Sequence, residues 1–293
     1  MQDTISTNPE RKKNEQNESE KSEKILTDNE HEREESEGIK NKELILLFLY
    51  FIAMGAAEII LVYYSLGIGL FIHALIMVFL IILSSNIKEK NSSLFFQTLA
   101  LLPLLRILSV SIPLIVFLNP IYRFLLIYSP LLLAAFIFIR NNKLRAEDVG
   151  ISFKDIKLHM IIALSGIIFG IIEYSILKEQ ITPFGALDPS FSGILTYALI
   201  LLFFTGFTEE LIFRGMLLTN TAKIFSANKS IIFVSILFMF MHIGWNSLTD
   251  LLFVFLVSLF YCYVFLKTRS ILGITISHGV TNIVEFVILP LML

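Results

Sequence analysis

Three short patterns near the end of the chain hold side chains able to do chemistry together. They are Glu209-Glu210 with Arg214, Phe238 with His242, and His278 with Asn282. Amide hydrolysis needs an activated water, donors for the oxyanion, and a proton for the leaving amine. A carboxyl partly removed from water makes a better base near neutral pH. An imidazole can share the water or pass a proton to the leaving nitrogen. Glu209 with His242, facing His278 with Asn282, fills each role once. No serine or cysteine nucleophile is required. Glu209, His242 and His278 are also side chains that zinc accepts, so the residues alone leave a zinc ion and no cofactor both open. The helical zinc pattern H-E-x-x-H is absent.

Such groups must be brought together by helices. Glu210 and Arg214 are four apart, so they can pair on one helix face, acid first, which is the favourable order. Glu209 then points about 100 degrees away from that face. At a rise of about 1.5 Å per residue, Glu209 lies roughly 15 Å from a helix end at residue 219. His242 lies roughly 18 Å from residue 230, and His278 roughly 12 Å from residue 270. Three helices of alternating direction thus place the groups at one level, on the cytoplasmic side of the membrane middle. A polar network that merely holds helices together would predict the same level.

The chain has 293 residues, of which 55% are hydrophobic and 16% charged. Soluble domains are nearer 45–50% apolar with about 25% charged. Residues 1–43 hold 13 acids, 8 basic residues and no aromatic residue. Such a stretch cannot offset its ordering entropy by burial, so it reads as a disordered, charged cytoplasmic tail. Its polarity leads us to expect no cleavable signal peptide. The remaining residues carry 12 acids against 15 basic residues. The single cysteine, Cys262, can form no intrachain disulfide and reads as a packing residue. Nothing in the charge pattern suggests a nucleic-acid partner.

From Leu44 the chain is a series of apolar runs long enough to cross a bilayer. We read nine: 44–64, 68–86, 94–118, 121–139, 158–177, 192–219, 230–246, 249–267 and 270–291. A re-entrant first pair would leave eight. The fold class expected is all-α, a polytopic membrane helical bundle of eight to nine transmembrane helices. The runs are too long for barrel strands and lack alternation. With the N-terminus in the cytoplasm, the inner loops collect Lys88, Lys90, Arg140, Lys143, Arg145, Lys154, Lys157, Lys223, Lys229, Lys267 and Arg269. The outer loops hold Arg123 and Lys178. This predicts a multi-pass protein of the cell membrane with a cytoplasmic N-terminus.

Other polar residues also fall inside spans, where they are costly. Glu58, Arg106, Glu173 and Glu285 read as interhelical pairs or residues near helix ends. His73, alone on an apolar run, reads as a packed, hydrogen-bonded histidine.

Together, E-E-x-x-x-R at Glu209, Glu210 and Arg214, F-x-x-x-H at Phe238 and His242, and H-x-x-x-N at His278 and Asn282 resemble the three motifs of the CPBP family. This family includes the C-a-a-X prenyl endopeptidases and is also called Abi. Phe213-Arg214-Gly215 and the run from Thr268 to Leu272 fit it as well. The resemblance covers about residues 190–290. It implies hydrolysis of a peptide bond in the membrane, with Glu209, His242, His278 and Asn282 catalytic and Glu210, Arg214 and Phe238 supporting. Glu210 and Arg214 are expected to orient Glu209. The implied organisation is a run of N-terminal helices over 44–189 and a peptidase core over 190–293. The implied partners are the lipid bilayer and a protein or peptide substrate, prenylated in the eukaryotic members. The family is widely labelled metalloprotease, so Glu209, His242 and His278 stand as metal candidates. The alternative is a non-proteolytic immunity or peptide-binding membrane protein of the same family. A transporter would show matching half-repeats, and no second copy of the motifs occurs in the earlier spans.

Overall fold

The computed structural model describes residues 44–112, 120–181 and 187–292. The expected tail at 1–43 lies outside them. The chain divides into a unit at 1–49, described only over 44–49 as the start of the first helix, and a unit at 50–293.

Among the described residues, nine helices are long and apolar enough to cross a membrane. They are α1 Leu44–Tyr64, α2 Leu66–Asn86, α3 Lys90–Ser111, α4 Ile121–Asn141, α5 Ile156–Leu177, α6 Phe191–Ile224, α7 Ala227–Trp245, α8 Leu248–Thr268 and α9 Leu272–Met292. The first pair is two separate helices, each long and apolar enough to cross, so among the described residues the count is nine rather than eight. Their outward faces are apolar: Phe71, Ile161 and Leu164 are all more than half exposed. Their buried positions include Glu58, His73, Arg106, Glu210 and Arg214. That inversion is what a bilayer solvent demands.

Two departures from regular helix matter for function. α6 is 34 residues long, running past the expected end at 219 to Ile224. It contains π-helix over Leu201–Phe207 and Leu211–Leu218, with one α-helical turn, Thr208–Glu210, between them. Such wide turns gather at functional sites because they re-aim side chains. α7 is regular only to Phe240 and closes as a 3₁₀ turn over Ile243–Trp245. Asn246 ends it with a φ of 54°.

Small residues set how closely α9 can approach its neighbours. A Cβ on Gly166 of α5 would lie 2.1 Å from the Ser277 carbonyl oxygen of α9. One on Gly206 of α6 would lie 2.9 Å from the Gly279 backbone nitrogen. Thr281 donates to the Gly166 carbonyl at 3.2 Å, so the close approach carries a hydrogen bond as well. Backbone-to-backbone packing of this kind is how membrane helices associate without a hydrophobic drive. It wedges α9, the carrier of His278 and Asn282, between α5 and α6. Gly166→Ala should therefore destabilise the protein by about 1–3 kcal/mol, as overpacking does. Gly67→Ala, where nothing lies within 4 Å of the added carbon, should not. Thermal unfolding of both variants in one detergent checks this.

The polar residues outside the three motifs divide. Arg106 pairs with Glu58 at 2.6 Å, and His73 meets the same carboxylate at 3.3 Å. These are the expected interhelical contacts. Glu173 and Glu285 instead line a cavity, and Glu285 Oε1 has no hydrogen-bond partner.

Candidate active site

Arg214 is the fixed point of the site. It is fully buried on the π segment of α6. Its Nη1 donates to Glu210 Oε1 at 2.8 Å, and its Nη2 donates to Ser258 Oγ of α8 at 2.7 Å. Its guanidinium stacks over Phe238 of α7, 4.5 Å from the ring centroid. A desolvated cation over an aromatic face gains about 2 kcal/mol. One side chain thus ties α6 to α7 and α8.

Glu210 passes that anchoring on to α9. Its Oε1 also lies 2.8 Å from His278 Nδ1. A carboxylate can only accept, so Nδ1 carries the proton. The other ring nitrogen, Nε2, then lies 3.8 Å from Glu209 Oε2. The His278 ring is held on both sides: edge-on to Phe238 at 6.1 Å and stacked with Tyr261 at 6.2 Å. The sequence led us to expect that Glu210 and Arg214 orient Glu209. They orient His278 instead. The pairing geometry was right, but the third partner comes from a distant helix.

Glu209 is oriented by a residue the sequence did not single out. The Tyr128 hydroxyl of α4 donates to Glu209 Oε1, leaving Oε2 toward His278. Tyr128 is buried. A tyrosine in an apolar run gives no signal beyond packing.

His242 follows the last regular turn of α7. Its Nδ1 lies 3.1 Å from the Phe238 carbonyl, which can only accept. That contact fixes a proton on Nδ1 and leaves Nε2 as an acceptor. Asn282 donates its amide to Thr205 Oγ1 of α6 at 2.8 Å. Arg106 donates to the Met241 carbonyl at 3.3 Å, joining the Glu58 network to the end of α7 beside His242.

All four expected catalytic residues line one cavity of about 210 Å³, with Tyr128, Thr205, Glu173 and Glu285 also on its wall. Phe238 packs behind His242, their rings 5.1 Å apart. The common level is not where residue counting put it. His242 is three residues from the end of α7 at Trp245, close to the expected end at 246, but α7 begins at Ala227, three residues before the expected start. α6 extends five residues further past Glu209 than expected.

Residues 189–284 match the family model described as type II CAAX prenyl endopeptidase, Rce1-like. This stretch is similar to an Rce1-like domain. Neither a curated protein nor a solved structure matches the chain. All three motifs fall inside the matched stretch, whereas Tyr128, Arg106 and Glu173 of the cavity lie outside it. The family supports membrane endopeptidase activity of the CAAX type in general, acting on a peptide substrate beside the lipid bilayer.

A zinc centre can be tested against the donors present. Among the described residues, no three His, Cys, Asp or Glu side chains gather in a way that would hold a metal ion. His278 and His242 each commit Nδ1 to a protein acceptor and keep Nε2 free, an arrangement zinc-bound histidines share. Glu209, His242 and His278 are donors of the right type, but as placed they do not converge into the three-ligand set a catalytic zinc uses.

Proposed function

We propose that the protein is an intramembrane endopeptidase whose core is residues 190–293, completed by Tyr128 from the earlier helices. Glu209 is the general base. The observation that carries this reading is the pairing of Glu209 and His278 at 3.8 Å on the wall of one cavity shared with His242 and Asn282.

A water held by Glu209 and His242 Nε2 gives a proton to the Glu209 carboxylate as its oxygen bonds to the peptide carbonyl carbon. The carbonyl oxygen becomes an oxyanion. His278, as imidazolium, keeps Nδ1–H on Glu210 and donates Nε2–H to that oxyanion. Asn282 gives one amide hydrogen to Thr205 and has a second for the same oxygen. When the intermediate collapses the C–N bond breaks, and the proton on Glu209 passes to the leaving nitrogen. The products are a carboxylic acid and an amine, and Glu209 is again a carboxylate. Donors fixed before reaction lower the barrier because they need no reorganisation. The Arg214–Glu210 pair supplies that fixity for His278, and Tyr128 supplies it for Glu209.

Asn282→Ala should lower kcat about 10²–10³-fold, the usual loss on removing one oxyanion donor, with little change in KM. Steady-state cleavage by the purified variant checks this. An unchanged kcat would remove Asn282 from the mechanism.

A further inference from the structure

The cavity wall is drawn from one end of the bundle. α3 contributes Arg106 and Ser109 from its last turns, and α4 contributes Phe124 and Tyr128 from its first ones. α5 contributes Glu173, and α7 contributes His242 and Trp245, again near the ends of those helices. α9 contributes residues from His278, six residues past its start, to Phe286. So four of the lining helices give their residues from one side of the bundle, where α3, α5 and α7 finish and α4 begins, while α6 gives Thr205 and Glu209 from its middle. Toward the opposite end α6 offers no opening, since Leu211–Leu218 are all buried.

Charge tells the two ends apart. At the closed end, the last turn of α4 and the connection to α5 alone carry Arg140, Lys143, Arg145 and Lys154. Pairs at Lys88 and Lys90 and at Lys267 and Arg269 lie at the same end. The cavity end has Arg123 and Lys178, beside Glu179 and Asp188. Short loops rich in Lys and Arg stay in the cytoplasm.

We infer that the cavity opens to the non-cytoplasmic face of the membrane, so that its substrate is a peptide segment exposed on that face. The juxtaposition of the cavity wall with the lysine-poor ends of α3, α4, α5 and α7, with Glu209 at mid-helix on α6, carries this. It differs from what a cytoplasmic prenylated chain end would need, because such an end would meet the closed, lysine-rich side. The inference rests on the peptidase reading for what enters the cavity. Its direction of access does not depend on catalysis.

Cysteine labelling in intact cells tests it on the full chain. The native Cys262 is fully buried, so the parent protein gives the background. Single variants Ser109→Cys and Phe124→Cys report the cavity, Thr249→Cys the turn into α8, and Ala146→Cys the closed end. A membrane-impermeant maleimide added outside should label Thr249→Cys and at least one cavity variant at least tenfold faster than Ala146→Cys. Ala146→Cys should label only after permeabilisation. Labelling of Ala146→Cys but not Thr249→Cys would overturn the orientation. Labelling of Thr249→Cys with both cavity variants silent from outside would overturn the access route. Glu209→Gln in the same cells, followed by the same labelling, separates the two claims. Retained peptide cleavage there would sink the peptidase mechanism while leaving the labelling pattern, and this inference, intact.

Discussion

Arg214→Met should destabilise the protein by about 3–5 kcal/mol, the cost of leaving a buried charge without its partner. Arg214 and Glu210 are both fully buried, and Glu210 would keep its carboxylate with only His278 to face it. Ser258 and the Phe238 ring would lose their cation at the same time. The double variant Glu210→Leu with Arg214→Met should recover most of that stability, since an apolar pair can replace a buried ion pair at little cost. It should not recover cleavage, because His278 would have lost the acceptor that fixes its Nδ1 proton. Unfolding midpoints and cleavage rates of the single and double variants separate the two roles. Recovery of both would reduce the pair to a packing element.

Glu209→Gln should lower kcat/KM by about 10²–10⁴-fold, the contribution expected of a positioned general base. The amide keeps the volume of the carboxyl, and its oxygen can still accept from Tyr128. The helix should therefore remain folded, and the loss should be in activity alone. His242→Ala should fall in the same range, since it removes the second acceptor for the attacking water. A non-proteolytic immunity or peptide-binding protein would tolerate Glu209→Gln in its biological assay. Loss of function with an intact unfolding midpoint speaks against that alternative.

Much of this was legible in the residues because charge in an apolar run is expensive. Glu209, Glu210, Arg214, His242 and His278 stand out for that reason alone, and their spacing ties them in pairs. Helix number followed from run length, and most ends to within a few residues, with α6 five residues longer; the expected end of the third run at 118 lies outside the described residues. Tyr128 was not legible, because a tyrosine hydroxyl inside an apolar run usually finds a local partner and leaves no pattern. Glu173 was visible as a charge but carried no spacing that linked it to the site, whereas Glu285, three residues after Asn282 and seven after His278, had helical spacing that went unread. The π segments of α6 were hidden as well. A continuous apolar run looks the same whether it turns every 3.6 residues or more slowly. The role of Glu210 was misassigned for a related reason: sequence neighbours suggest Glu209, while the hydrogen bond goes to a helix 68 residues away.

The most direct measurement is cleavage by the purified full chain in proteoliposomes against a mixed peptide library, read by mass spectrometry for new termini. The wild-type protein should generate them, and Glu209→Gln at equal loading and equal unfolding midpoint should not. Equal yields of the same termini from both proteins would contradict Glu209 as the base.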